Sequence, residues 1–96
     1  MIPEFHPAAE LELEAAAPAG EEIETGLGAE LSAEAQRLVS LLCGLPRIGT
    51  PLGAGYRRFP LTRSPYALIY RTDGVRLQVV AVAHRRQRPN YWRSRL

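Results

Sequence analysis

The sequence predicts a single α+β domain: a short N-terminal strand, a helical hairpin, and a three-stranded antiparallel meander that carries both helices on one face. Three observations predict it. Apolar residues recur at helical spacing in the first half, strand-like alternation dominates the second half, and an Asp-Gly turn separates the last two strand segments. The 96-residue length leaves room for one hydrophobic core, so one domain is expected over residues 1–96.

Residues 1–46 are predicted to contain the short strand and the helical hairpin. Pro3 lacks the N–H that a strand ladder needs, so MIPEF is predicted to be a short strand at a sheet edge. In HPAAELELEAAA, Pro7 suits the first turn of a helix. The pattern predicts that this helix either ends near Ala17 or kinks at Pro18.

A second helix is predicted to begin at Ala29 and to stop at Gly44 and Pro46. Its apolar stripe has members spaced alternately by four and three residues: Leu31, Ala35, Leu38, Leu42 and Leu45. The two helices are expected to form an antiparallel hairpin that lays one apolar face on the sheet.

The antiparallel sheet is predicted over residues 54–84. The preceding GTPLGAG (49–55) is interpreted as a loop from its composition, and YRRFPLT (56–62) as a strand with an edge or bulge at Pro60. Arg57 and Arg58 fall on opposite faces of this strand. Arg58 shares its parity with Tyr56, so Arg58 is the one expected to line a shared concave surface.

The last two strands are predicted from alternation and a tight turn. In YALIYR (66–71) the aromatic residues Tyr66 and Tyr70 share one face and are interpreted as core. TDG (72–74) favours a hairpin, because Asp-Gly readily adopts positive φ angles. The second half of VRLQVVAVAH (75–84) is apolar on both faces, which predicts a position at the centre of the sheet.

Charge is segregated along the chain. Residues 1–44 carry nine glutamates and one arginine, and residues 45–96 carry eleven arginines and one aspartate; the front is at −8 and the back at +10, which gives the net +2. Arginine binds carboxylate or phosphate in a planar fork. The basic half therefore predicts an anionic partner, either nucleic acid or an acidic protein segment. The glutamates are interpreted as solvated helix faces, and this is favoured over the alternative that they keep nucleic acid away from that side.

Composition also excludes several kinds of site. With one cysteine, Cys43, and two histidines, neither an internal disulfide nor a metal site is expected, and no cofactor is implied. Cys43 lies in the apolar run RLVSLLCGL and is interpreted as a buried small hydrophobe. No apolar run reaches the length of a membrane span and no secretory leader opens the chain, so a cytoplasmic protein without membrane contact is predicted.

The chain closes on AVAHRRQRPNYWRSRL, which contains five arginines and no acid. Its first residues complete the last strand, and residues 85–96 form a basic C-terminal tail. Trp92 is expected to pack this tail onto the domain, because an exposed indole on a free terminus is uncommon. For His84, anchoring to a backbone group is favoured over a role as catalytic base, which stays open.

Five segments covering essentially the whole chain carry a family resemblance: HPAAELELEAA, GLGAEL, LPRIGTPLG, YRRFPLTRSPYALIYR and VVAVAHRRQRPNYWRSR. Their ordered set resembles the RelE/ParE superfamily of toxins from bacterial type II toxin–antitoxin modules. The resemblance implies a compact domain neutralised by a cognate antitoxin, ParD-like or similar. A toxin–antitoxin heterotetramer or larger complex is one assembly that it permits.

RelE-type members of the superfamily cleave mRNA on the ribosome without a metal. The resemblance implies basic residues and a tyrosine at five positions of such a ribonuclease. Arg58, Arg85 and Tyr91 match three of them, whereas the second basic position falls on Pro60 and the third-strand arginine on Ala67. Because losing one electrostatic donor typically costs about a hundredfold in rate, this mechanism is disfavoured.

Two alternatives remain open beside it. In a rearranged ribonuclease, Arg63 or Arg86 could replace the missing charges and His84 could serve as acid or base. A basic nucleic-acid-binding module without toxin activity would rest on the charge alone.

The tail HRRQRPNYWRSR is more typical of the ParE, or plasmid-stabilisation, branch. The resemblance then implies a binding inhibitor that poisons DNA gyrase, arrests growth and needs no catalytic residues. This interpretation is favoured over the ribosome and its mRNA as target. The residues expected to bind the target are Arg58, Arg63, His84, Arg85, Arg86, Arg88, Tyr91 and Trp92.

Overall fold

A computed structural model describes the backbone of residues 1–23 and 26–95, with side chains for residues 1–16, 26 and 28–95. Within these ranges the predicted elements occur in the predicted order, together with an additional strand at residues 50–53 and a short 3-10 helix at the end. They are β1 (Ile2–Phe5), α1 (Pro7–Ile23), α2 (Leu27–Gly44), β2 (Thr50–Gly53), β3 (Tyr56–Pro60), β4 (Tyr66–Thr72), β5 (Arg76–His84) and η1 (Arg93–Arg95).

The strands form one sheet in the order β1-β5-β4-β3-β2. β1 runs parallel to β5, pairing Ile2 with Arg76 and Phe5 with Val79, and the remaining neighbours are antiparallel. The predicted α+β fold with an N-terminal edge strand is therefore confirmed. β5 lies between β1 and β4, but β1 pairs only with its first half, up to Val79, so the predicted central position of the apolar second half is wrong on the β1 side.

The interpretation of residues 49–55 as a loop is wrong, because β2 adds a fourth strand to the antiparallel meander. β2 pairs with β3 through Thr50 and Arg58 and through Pro51 and Arg57, with an irregularity before Gly53. Proline and glycine weaken a central strand, but an edge strand pairs on one side only and tolerates both. Composition alone could not show that this segment occupies an edge.

Of the two predicted alternatives at Pro18, an end of the helix near Ala17 is wrong, because α1 continues to Ile23. A proline inside a helix costs about 3 kcal/mol. Burial of the helix face that carries Ala9 and Ala16 against α2 and the sheet offsets this local cost. The sequence pattern contains the local cost of the proline but not the gain from this packing. The start of α1 is capped by His6, whose Nδ1 atom accepts a hydrogen bond from the Ala8 N–H at 3.0 Å.

Helix α2 starts two positions before Ala29 and ends at Gly44 as predicted. Most of the predicted apolar stripe faces the core, whereas Leu45 lies beyond the helix and is 52% exposed. Cys43 is half-buried at the edge of the same core, so it is less enclosed than expected.

The sheet has a different cover on each face. Its helix-covered face packs on α1 and α2 through Leu68, Tyr70, Leu77, Val79 and Val82. Its tail-covered face presents Tyr56, Ile69, Val80 and Ala81 to Trp92 of the C-terminal segment. The core assignment of Tyr66 and Tyr70 is confirmed, since both pack on the helix-covered side. Two apolar layers therefore enclose the sheet, and the second is made by the tail.

Candidate functional site

The C-terminal tail is docked firmly on the sheet. The Trp92 side chain is 4% exposed, and its ring centroid lies 4.7 Å from that of Tyr56. The Arg93 guanidinium stacks over the Trp92 ring at 4.6 Å and donates to the Leu52 carbonyl oxygen at 2.7 Å, which ties the tail to the edge strand β2. The expected packing of Trp92 onto the domain is confirmed. Because its ring is buried, Trp92 holds the tail in place and offers little surface to a partner.

A second attachment joins the tail to helix α1 through Glu12. The Glu12 carboxylate accepts hydrogen bonds from the Tyr91 hydroxyl at 2.6 Å, from Arg95 at 2.8 and 3.0 Å, and from the Val82 N–H at 3.0 Å. Arg95 also donates to the Val80 carbonyl oxygen at 2.8 Å. We call this cluster of Glu12, Tyr91 and Arg95 the Glu12 clamp.

The clamp lies where the sheet would otherwise have an open edge. β1 pairs with β5 only as far as Val79, whose carbonyl oxygen accepts the His6 N–H at 2.9 Å. Beyond that point no strand of the described chain lies on the β1 side of β5, and the Glu12 clamp supplies partners for the Val80 carbonyl oxygen and the Val82 N–H. It thus closes the second half of the β5 edge and fixes the tail at the same time.

Electrostatics hold the clamp in one protonation state. Burial by itself raises the pKa of Glu12, but hydrogen bonds from Arg95, Tyr91 and the Val82 N–H outweigh it, so the net pKa is lowered and Glu12 is ionised. Burial, followed by the hydrogen bond to Glu12, raises the pKa of Tyr91. The Tyr91 proton is therefore directed at Glu12 and held tightly, which is the opposite of what a general acid needs.

His84 is also engaged within the fold. Its Nδ1 atom accepts the Arg86 N–H at 3.0 Å, and its ring packs edge-to-face on Tyr66 with centroids 5.0 Å apart. The favoured anchoring of His84 to a backbone group is confirmed. Tyr66 belongs to the helix-covered side, whereas Arg58 pairs with Ile69 on the tail-covered face. The ring of His84 therefore packs beside a side chain of the helix-covered side.

A shallow pocket of about 270 Å³ opens beside the docked tail. Three exposed arginines surround it, Arg58, Arg85 and Arg88, and its floor is formed by Leu52, Ile69 and Ala83. We call this the arginine pocket. Its remaining lining comes from His84, Gln87, Pro89, Asn90, Tyr91 and Trp92. Within the described residues none of the three arginine side chains forms an ion pair or hydrogen bond, and no acid lines the pocket.

The other two expected binding arginines lie elsewhere. Arg63 is ion-paired with Glu30 of α2 at 3.3 Å, in a depression between α2 and the β3–β4 loop. Arg86 is exposed in the same turn as Arg85 and Arg88 but does not line the pocket. Of the eight predicted binding residues, the pocket therefore brings together all except Arg63 and Arg86. The preference for Arg58 over Arg57 agrees with the geometry, since Arg57 donates to the carbonyl oxygens of Arg47 and Gly49 instead.

The positions that a RelE-type ribonuclease would fill with charge are adjacent in space. Pro60 pairs with Ala67 across β3 and β4, and Ala67 is 1% exposed. Neither can donate a side-chain proton or offset a phosphate charge. Among the described residues, no three His, Cys, Asp or Glu side chains are grouped so as to hold a metal ion, and no helix is long and apolar enough to span a bilayer.

Sequence reasoning missed Glu12, which was counted among the solvated glutamates. A signal was present, because Glu12 lies three residues after Ala9 and four before Ala16, which are the two buried positions among the described side chains of α1. An acid in the buried stripe of a helix needs a partner. Its partners come from the other end of the chain, so the spacing could indicate a buried ion pair but not identify it.

The chain is similar to known proteins in both sequence and structure. The sequence model described as "ParE toxin of type II toxin-antitoxin system, parDE" matches residues 4–89. Among solved structures, the chain resembles one described as "Chromosomal ParDE TA system from P. aeruginosa", with a TM-score of 0.62, 17% identity, and coverage of 88% of this chain and 95% of that one. No curated protein sequence matches it. At 17% identity the structural likeness establishes the fold, and the family model, which spans most of the chain, establishes the family. The chain belongs to the ParE toxin family of type II toxin–antitoxin systems.

Proposed function

We propose that this protein arrests growth by binding and poisoning DNA gyrase. The observation that carries the proposal is the arginine pocket, in which Arg58, Arg85 and Arg88 are exposed and uncompensated while the tail around them is fixed by Trp92 and Glu12. A rigidly held cationic surface without a catalytic set suits a binding inhibitor, because binding needs preorganised contacts but no proton donor or acceptor.

Ribosome-dependent mRNA cleavage is the second candidate, and the site offers it little support. Arg58 and Arg85 lie together, but Pro60 and Ala67 occupy the places of two further charges. Tyr91 donates its proton to Glu12 at 2.6 Å. A nuclease would have to assemble its acid, its base and its phosphate contacts from arginines alone.

We further propose that a cognate antitoxin neutralises the protein in the cytoplasm. The similar solved structure is described as a ParDE toxin–antitoxin system, which supports a ParD-like partner. The segregated charge of the chain supports an antitoxin whose acidic or apolar segment covers the basic half. A heterotetramer of two toxins and two antitoxins is the assembly we would test first.

The test is inducible expression with and without the neighbouring antitoxin gene, read by plasmid supercoiling and by mapping of mRNA ends. We expect lost supercoiling and DNA-damage signalling with intact mRNA, and restoration of both by the antitoxin. The Arg85→Ala, Arg88→Ala double variant should lose toxicity, whereas Tyr91→Phe should stay toxic if it remains folded. Codon-positioned mRNA cuts with normal supercoiling, abolished by Tyr91→Phe, would instead establish the ribonuclease.

A further inference from the structure

The arginine pocket combines two recognition features that different ligands use differently. Its rim carries three positive charges, and its floor is apolar, formed by Leu52, Ile69 and Ala83. A nucleic acid backbone would use the charges but leave the apolar floor without a partner. A protein segment with an apolar side chain between carboxylates would use both.

Bases could occupy an apolar floor by stacking, but the aromatic faces beside the pocket are already covered. The Arg93 guanidinium lies 4.6 Å from the Trp92 ring centroid, and that of Arg95 lies 5.1 Å from the ring of Tyr91. Tyr56 is buried under Trp92, with Arg71 stacked over it at 5.6 Å. Single-strand binding by this kind of surface depends on exposed aromatic platforms. Among the described residues that line the pocket, Trp92 is 4% exposed and Tyr91 is half-buried beside Arg95, so neither ring is a freely exposed platform.

The volume of the arginine pocket also favours a protein segment as its ligand. About 270 Å³ is below the roughly 300–1,000 Å³ of pockets that enclose small molecules. It suits one branched apolar side chain with its flanking main chain. The arginines that line the pocket come from two separate elements, Arg58 from β3 and Arg85 and Arg88 from the tail turn, and can each receive a carboxylate.

We propose that the arginine pocket binds an acidic segment of the gyrase protein itself, with one apolar side chain seated between Arg58 and Arg88. The proposal rests on the proposed function, since it names the chemistry by which that target is recognised. It implies that the toxin binds gyrase without DNA, and that shape at Ala83 matters as much as charge.

The first test uses a defined probe and does not involve gyrase. The ¹⁵N-labelled full chain is titrated with the peptide Asp-Glu-Leu-Asp-Glu, with the same peptide carrying serine at its centre, and with a duplex DNA of matched charge. Shifts in the amides of Ala83, Arg85 and Arg88 should saturate with the leucine peptide. The serine peptide should bind about tenfold more weakly, because it buries no apolar side chain.

Variants of the toxin separate pocket binding from general attraction. Ala83→Leu fills the floor without changing charge, and Arg88→Ala removes one rim charge; each should weaken peptide binding by about tenfold. Arg86→Ala is the matched control, since Arg86 lies in the same turn but does not line the pocket; it should change binding by about twofold or less. Thermal melting checks the fold of Ala83→Leu, and exposed Arg88 provides an independent test.

The second test measures binding of the same variants to the gyrase holoenzyme, with and without DNA. Binding without DNA that falls with Ala83→Leu and Arg88→Ala but not with Arg86→Ala supports the proposal. Gyrase binding that needs DNA, or that loses equally with Arg86→Ala and ignores Ala83→Leu, overturns it and leaves gyrase as the target. Absence of any gyrase binding overturns the proposed function, while the peptide titration still reports on the pocket's chemistry. Equal binding of the leucine and serine peptides overturns the pocket assignment.

Discussion

Replacement of Glu12 by alanine tests whether the Glu12 clamp holds the tail on the domain. The substitution removes every hydrogen bond that the carboxylate accepts, from Tyr91, Arg95 and the Val82 N–H. It leaves the Val82 N–H at an open strand edge and Arg95 without its counter-charge. Tail and β5 edge should therefore loosen together.

The magnitude follows from the burial of the pair. Hydrogen bonds to charged groups contribute about 1.5–3 kcal/mol each, and breaking a buried pair costs about 3–5 kcal/mol. Here Glu12 and Arg95 are 18% and 17% exposed, so water replaces part of the loss. We expect the free energy of unfolding to fall by about 3 kcal/mol, which lowers the melting temperature of a domain this size by roughly 12–24 °C.

Circular dichroism melting of the purified chain measures this change. Glu10→Ala is the matched control, because Glu10 is exposed on the same helix and should change the free energy of unfolding by at most about 0.5 kcal/mol. If Glu12→Ala melts within about 3 °C of the unmodified chain, or no lower than Glu10→Ala, the clamp does not stabilise the domain and the reasoning fails.

Two further predictions concern stability. Burial raises the pKa of Glu12, but the hydrogen bonds from Arg95, Tyr91 and the Val82 N–H lower it by more, so its net pKa is below the ordinary value of 4.5. The contribution of Glu12 to the free energy of unfolding is therefore complete above pH 4.5 and is lost as the pH falls through the lowered folded pKa. The difference in urea midpoint between the unmodified chain and Glu12→Gln should shrink between pH 7 and pH 3, and a constant difference would contradict this prediction. A Cβ on Gly49 would lie 2.5 Å from the Tyr70 hydroxyl, so Gly49→Ala should lower the free energy of unfolding by about 1–3 kcal/mol in denaturant melts. Gly44→Ala is the control, because a Cβ there would have nothing within 4 Å and the change should be neutral or slightly stabilising. Equal effects of the two substitutions would remove the steric explanation.

Part of the site was accessible from sequence and part was not. The basic face followed from the segregation of charge, and the choice of Arg58 over Arg57 followed from strand parity, which are local properties. Backbone anchoring was the favoured role for a histidine at the end of an apolar strand. The separate location of Arg63 could not be predicted from the sequence, because its ion pair with Glu30 joins residues that are distant in the chain. Tyr91 was matched to a functional position, but its proton acceptor, Glu12, could be known only once the tail had returned to α1.

The sequence by itself determined the order and type of nearly all elements and the face that each turns to the core. It could do so because burial imposes periods of 3.6 and 2 residues on helices and strands, and these periods are written within each segment. Only the tertiary structure decided that 50–53 is an edge strand, that α1 continues through Pro18, and that Glu12 is a clamp rather than a solvated charge. Each of these outcomes depends on a neighbour supplied by a distant part of the chain: a single pairing partner for β2, a packed face for α1, and an arginine that follows Glu12 by 83 residues.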